Sequence, residues 1–293
     1  MSSKNILVVA FDGLDYELVD DFDLDNIQQD EFGRIDNKTG MSSIKTSELF
    51  ASFITGEYPE SHGVKGLNRE EDAWKKKVID FLIPRVVQKR VMGGETLKMI
   101  LEAILKPEDD RRYEKEDLEV ESFFDRLENS RAMFVPSYNP SIFWTSGAWN
   151  EIMKAHSFSQ SAVKCWDKYE YSRRKTEFFS ELDSDIMPAR SLLMCHFHRP
   201  DAHQHFYGDE TINVDKDKLR KLYFEVDDLA AEIKEKALEK GYDYVIFMSD
   251  HGLVTEECHN ENAFYSSNKE LFPDKTPHIT DFHDRILELV EKS

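Results

Sequence analysis

Three groups of acidic and imidazole residues stand where apolar runs of this 293-residue chain end. Asp12 closes the run Asn5-Ile6-Leu7-Val8-Val9-Ala10-Phe11. Asp201 and His205 lie in Pro200-Asp201-Ala202-His203-Gln204-His205, just beyond a second run, and Asp250-His251 follow a third. Aspartate and histidine together make a donor set suited to zinc, manganese or iron(II), whereas calcium prefers oxygen alone. Two such ions about 4 Å apart clamp the attacking and leaving oxygens of an in-line displacement. A hydroxyl able to attack stands in Lys45-Thr46-Ser47-Glu48-Leu49-Phe50. There Thr46 or Ser47 occupies the place of a helix N-cap, and Leu49, Phe50, Phe53 and Ile54 recur at helical spacing until Gly56 stops the helix. The free backbone N–H groups of such a helix start form a site for an anion. Alone, each fragment is an ordinary cap or turn; together they point to metal-assisted displacement.

These groups meet only if the apolar runs are neighbouring parallel strands. A uniformly apolar, β-branched run reads as a strand covered on both faces, and open α/β sheets place ligands at the carboxyl ends of such strands. Strands are expected over 5–11, 132–135, 190–197, 244–248 and 263–266, with a small one at 33–36. Helices are expected from Thr46 and over 121–128, 166–182, 215–240 and 279–290, the fourth ended by Gly241. The alternation predicts an α/β fold, a three-layer α/β/α sandwich with a mainly parallel central sheet, as a single domain over 1–293. Residues 65–119 break the rhythm. Charges crowd there, with helical-period stretches at 78–91 and 96–105, which predicts an inserted helical cap whose charge runs are solvated faces.

Composition narrows the partners. The chain carries 58 acidic against 38 basic residues, a formal charge of −20, and 40% hydrophobic residues, enough for a sizeable core. So acidic a surface repels nucleic-acid backbones and anionic lipid, so neither a nucleic-acid platform nor a membrane surface is expected. It would also repel a phosphorylated substrate unless bound cations offset it. Three cysteines without paired spacing fit a reducing compartment. Met1-Ser2-Ser3-Lys4 runs directly into a core strand, leaving no room for a signal peptide, and no run approaches the roughly 18 apolar residues of a spanning helix. A cytoplasmic location is the expectation.

The same motifs resemble the alkaline phosphatase superfamily, most closely its type I phosphodiesterase/nucleotide pyrophosphatase branch. The resemblance rests on Phe11-Asp12-Gly13; on Lys45-Thr46 followed by Thr55-Gly56-x-Tyr58-Pro59-Glu60-Ser61-His62-Gly63; on Pro200-Asp201-x-x-x-His205-x-Tyr207-Gly208; and on Ser249-Asp250-His251-Gly252. They run in family order and frame the chain apart from 65–119. The resemblance implies an alkaline phosphatase-like fold and a metal-dependent phosphodiesterase or phosphatase acting on a small-molecule phosphate ester. Thr46 would be the nucleophile that takes a covalent phosphoryl group. Asp12, Thr46, Asp250 and His251 would hold one divalent ion, zinc or else manganese or iron. Asp201, His205 and a further histidine would hold the second: His259, which precedes a short strand, is favoured over His278. Lys45 and Asn68 are candidate substrate-binding residues, Lys45 with a solvated role as its alternative and Asn68 one place beyond the strictly matching Leu67.

Other residues have plainer roles. His62 reads as a turn residue buttressing the Thr46 helix. His196 and His198 flank a strand end and are placed to hydrogen-bond ligating carboxylates. Ser47-Glu48-Leu49 lacks the aromatic-proline-asparagine run of nucleotide-cleaving relatives. The Thr46 context also lacks the proline and arginine of sulfatase maturation. The rival readings are a phosphomonoesterase or sulfatase-like hydrolase of the same fold, and a non-catalytic metal-binding member.

Overall fold

The computed structural model describes residues 3–66, 112–141, 160–184, 189–207, 216–255, 258–273 and 275–291, with the backbone alone at 160–167, 205–207, 216 and 258. In chain order the described elements are β1 (Ile6–Phe11), α1 (Tyr16–Asp21), β2 (Glu31–Arg34), α2 (Thr46–Thr55), α3 (Pro59–His62), α4 (Phe123–Arg126), β3 (Ser130–Met133) and α5 (Gln160–Leu182). They continue with β4 (Leu192–Phe197), α6 (Asp201–Tyr207), α7 (Lys216–Glu239), β5 (Tyr244–Ser249), β6 (Val254–Thr255), β7 (Cys258–His259), β8 (Phe264–Ser267) and α8 (Asp281–Glu291).

β1 lies inside the molecule with all six residues fully buried. Its successive side chains point to opposite faces, so one strand feeds two cores. Ile6, Val8 and Ala10 pack with Phe50, Phe53 and Phe282 from the α2 and α8 layer. Leu7, Val9 and Phe11 pack on the other face with Phe178 of α5 and Tyr223 and Ala230 of α7. The sheet order is β2-β8-β5-β1-β4-β3. β1 pairs in parallel with β4 and β5, and β3 in parallel with β4. β8 is antiparallel to β5, and β2, antiparallel to β8, points the same way as the rest. The expected three-layer α/β/α sandwich with a mainly parallel sheet is therefore present. Among the described residues, no helix is long and apolar enough to cross a membrane.

Several local expectations shift. Thr46 is the first helical residue of α2 rather than its cap; Lys45, extended at φ −133°, is the cap and makes no side-chain capping bond. The strand expected over 132–135 ends at Met133, because Phe134 and Ser137 both adopt left-handed backbone (φ 60° and 61°), which breaks the ladder. The strand expected at 33–36 begins at Glu31 and lies at the sheet edge. The short helices α3 and α6 were not legible; α3 starts on Pro59 and stops at Gly63 (φ 81°).

Of the expected insertion over 65–119, residues 67–111 lie outside the described residues. Its two ends are tied together. Tyr113 Oη donates to the Lys65 carbonyl at 3.1 Å, Glu119 N–H donates to the His62 carbonyl at 3.1 Å, and Tyr113 packs against Ala51 and Val64.

His62 is fully buried beneath α2. Its Nδ1 accepts from Val64 N–H at 3.1 Å, and its Nε2 lies 2.9 Å from Ser52 Oγ, an arrangement that a neutral ring satisfies. Burial pushes its pKa down to about 4, against the pull of Glu48. The unfolded chain takes up this proton near pH 6.5 and the folded one only near 4, so stability present above pH 6.5 is lost as pH falls between those values. Denaturant melts from pH 7 to 4.5 are expected to show the wild type losing on the order of 2 kcal/mol more than His62→Gln. Equal slopes would show that this ring is not a destabilising acid-side group.

Candidate active site

Because β1, β4 and β5 are parallel neighbours, the residues after them share one edge of the sheet. β1 delivers Asp12, β4 leads through His198 to Asp201 at the start of α6, and β5 delivers Asp250 and His251. The junctions are fastened. Asp201 N–H donates to the Asp12 carbonyl at 2.9 Å, and Ser249 Oγ accepts from Leu14 N–H at 3.0 Å while donating to the His251 carbonyl at 2.6 Å. Gly13 has φ +72°, and a Cβ there would lie 2.8 Å from Asp201 Cβ, so only glycine lets the two turns touch. The β6–β7 hairpin brings His259 alongside. Asp15 fixes that loop by accepting from Asn260 Nδ2 at 2.7 Å, Asn262 Nδ2 at 3.1 Å and Leu253 N–H at 3.3 Å.

The head of α2 is held as firmly. The carboxylate of Glu48, fully buried, accepts from the N–H and hydroxyl of both Ser42 and Ser43 and from Gly66 N–H. Burial opposes its ionisation, but these donors keep its pKa below the ordinary value. Ser137 Oγ donates to the Ser47 carbonyl at 2.7 Å. Thr46 is thereby presented to the sheet edge, with its Oγ1 3.2 Å from His251 Nε2.

That nitrogen is the meeting point. It lies 3.2 Å from Asp12 Oδ1 and 3.4 Å from Asp250 Oδ2. A second cluster lies beside it: His259 Nε2 is 3.4 Å from Asp201 Oδ1, and the His251 and His259 rings stack 3.6 Å apart. His198 Nε2 bridges the two, 3.4 Å from both Asp12 Oδ2 and Asp201 Oδ2. One donor atom each from Asp12, Asp250 and His251, and likewise from Asp201, His251 and His259, falls within 4.8 Å of the others.

Two observations show that divalent ions fit. Asp12 Oδ1 and both oxygens of Asp250 are buried with no hydrogen-bond partner, a costly state for carboxylates unless a cation binds them. His251 Nδ1 lies 3.0 Å from the Gly252 carbonyl and His259 Nδ1 3.2 Å from the Ile44 carbonyl. A carbonyl only accepts, so both rings carry a proton on Nδ1 and present Nε2 to the carboxylates, the orientation of a ligating histidine once that nitrogen gives up its proton.

The charges agree. Burial and the neighbouring Asp201 oppose ionisation of Asp12, yet the His196 and His251 rings outweigh them and hold its carboxyl well below the usual range. Burial and then the Asp12 charge push Asp250 up to about 7. Burial disfavours a charged His251, but the Asp250 and Asp12 carboxylates raise it to about 9. Burial takes His198 down to about 3 despite the Asp12 and Asp201 carboxylates. The edge thus demands positive charge, which metal ions could supply.

Six expected site residues (Asp12, Thr46, Asp201, Asp250, His251 and His259) converge. His205 lies on α6, with its side chain outside the described residues, as is Asn68 altogether. Lys45 supplies the backbone cap of α2. His278 stands apart, with Nε2 2.8 Å from the Thr39 carbonyl and Nδ1 2.7 Å from Thr280 Oγ1. Glu48, Asp15 and Ser137 were missed. Asp15 has a local signal as the N-cap of α1, but its hold on the His259 loop, like the roles of Glu48 and Ser137, shows only through tertiary contacts.

Gly13→Ala is expected to weaken zinc binding at least about tenfold, because the new methyl displaces Asp201 and φ +72° strains alanine by about 1 kcal/mol or more. Zinc titration against a chromogenic chelator checks this; wild-type affinity would mean that the Gly13–Asp201 contact does not set the site.

The model of a family described as type I phosphodiesterase / nucleotide pyrophosphatase matches residues 6–284. Among solved structures, the chain is similar to murine ectonucleotide pyrophosphatase / phosphodiesterase 5, with 14% identity and a TM-score of 0.49, covering 85% of this chain and 57% of that one. An inactive threonine-to-alanine form of that murine protein in complex with AMP gives 12% identity, a TM-score of 0.47 and the same coverages. The chain thus spans little more than half the length of these neighbours. No curated protein matches it.

Proposed function

The chain belongs to the type I phosphodiesterase/nucleotide pyrophosphatase family, and from that premise we propose that it is a metal-dependent phosphodiesterase with Thr46 as nucleophile. The observation that carries the reading is the Thr46 hydroxyl at the head of α2, 3.2 Å from the His251 nitrogen that also faces Asp12 and Asp250. Asp12, Thr46, Asp250 and His251 would hold one divalent ion, and Asp201, His205 and His259 the other, with zinc favoured by the mixed carboxylate and imidazole donors. When bound, the ions supply Lewis-acid stabilisation of phosphate oxygens and lower the pKa of a coordinated hydroxyl.

The chain's own groups do the rest. Thr46 Oγ1 forms a bond to phosphorus as the bond to the leaving alkoxide breaks, giving a phosphothreonine ester; water then cleaves that ester and frees Thr46. The first-turn amides of α2, which helix geometry leaves without intrahelical acceptors, would donate to the equatorial oxygens. Glu48, through Ser42 and Ser43, fixes the loop that precedes the nucleophile, so the hydroxyl need not be ordered during the reaction. Lys45 and Asn68 are proposed to contact the substrate phosphate.

The test is hydrolysis of bis-p-nitrophenyl phosphate against p-nitrophenyl phosphate, with zinc or manganese. The diester is expected to be preferred. Thr46→Ala is expected to lose at least about three orders of magnitude in kcat with its metal content retained in part, and EDTA to abolish activity reversibly. Full activity in Thr46→Ala would sink the nucleophile. No activity on either ester with either metal would favour a non-catalytic metal-binding member, and a monoester preference a phosphomonoesterase.

A further inference from the structure

Arg174 of α5 is among the largest fully buried side chains and serves no part of the chemistry above. A buried arginine–carboxylate pair is weak support for stability, because desolvating both charges offsets their attraction. Yet this one is caged. Its Nε donates to Glu170 Oε1 at 2.9 Å, and its Nη1 donates to the His196 carbonyl at 2.9 Å and lies 3.1 Å from His196 Nδ1. The Phe134 ring, on the left-handed residue that ends β3, covers the guanidinium at 5.2 Å. Glu170 is also held by Arg173 at 2.9 and 3.0 Å.

The contact with His196 has one chemical solution. A guanidinium donates and never accepts, so His196 Nδ1 must be the acceptor and the ring proton must sit on Nε2. Nε2 lies 3.1 Å from Asp12 Oδ2 and so donates to it. The His196 ring is set in place by the Phe50 ring, edge to face at 5.0 Å. One oxygen of Asp12 is thereby engaged, and the other, Oδ1, faces His251 with no hydrogen bond of its own.

We propose that Arg174 is a positioning residue that acts through His196. It fixes the Nε2–H tautomer of His196, which anchors Asp12 Oδ2 and leaves Asp12 Oδ1 aimed at the cation shared with Asp250 and His251. The inference rests on the proposed function in taking Asp12 as a metal ligand. It adds a three-residue line, Arg174 to His196 to Asp12, running from α5 across β4 to the end of β1.

The first test reads the tautomer directly. Long-range proton–nitrogen spectra of the zinc-loaded, histidine-labelled full chain, with His196→Gln giving the assignment, are expected to show His196 protonated on Nε2 alone. A proton on Nδ1, or on both nitrogens, overturns the proposal. The second test is a double-mutant cycle on zinc affinity by chelator competition. Arg174→Met is expected to raise the Kd about 10- to 100-fold, as for loss of an outer-shell partner. In a His196→Gln background, where an amide donor needs no tautomer fixed, the same change is expected to shift Kd by less than about threefold. Should Arg174→Met fail to fold, Arg174→Lys, which also presents only donors to Nδ1, is expected to stay within about threefold of the wild type. An unchanged Kd in Arg174→Met, an equal loss in both backgrounds, or a loss in Arg174→Lys as large as that expected for methionine overturns the proposal. None of these readouts uses substrate, so they stand or fall apart from the Thr46 chemistry, which the diesterase assay decides.

Discussion

Negative charge collected out of water governs this molecule. Asp12, Asp201 and Asp250 are each at least nine-tenths buried, within a few ångströms of one another, where repulsion between carboxylates is least screened. Asp250 responds by holding its proton to about pH 7 and His251 by keeping one to about pH 9. Asp250 shows the cost of such a cluster most plainly, since burial and the Asp12 charge both oppose its ionisation. Divalent cations, as proposed above, would relieve that repulsion and offset part of the chain's overall negative charge.

Everything around the cluster keeps it from relaxing. Parallel pairing of β1 with β4 and β5 fixes where the three acidic turns lie, and the Gly13–Asp201 contact fixes how near they come. Hydrogen bonds from backbone and asparagine groups to Asp15 hold the His259 loop, and the five donors on Glu48 hold the approach to Thr46. Carbonyl acceptors set the rings of His251 and His259. Rigid support of this kind matters because a ligand or nucleophile displaced by about 1 Å loses much of its effect.

What the sequence made legible was whatever depends on local pattern. The β1, β4 and β5 runs, the period of α7 and the stop at Gly56 all follow from neighbouring residues, and the residues after those strands led directly to Asp12, Asp201 and Asp250. What stayed hidden depends on tertiary placement. Glu170, Arg173 and Arg174 stand at i, i+3 and i+4 of an expected helix, a spacing equally suited to a solvated face, and nothing local says that Arg174 faces inward to His196. The left-handed turn at Phe134 ends β3 two residues before the expected place without a glycine to announce it, and the Asp and His residues of α6 signal ligands rather than a helix.

The tied stem at Lys65 and Tyr113 has a wider consequence. The chain leaves the α/β frame and rejoins it at essentially one point, and Glu48 grips that point and the threonine loop with a single carboxylate. Among the described residues, the exit and the return of the chain are thus held side by side against the body that carries both cores. A change at that junction would therefore be felt at the threonine loop, because Gly66 and the Ser42–Ser43 loop hang from the same buried carboxylate.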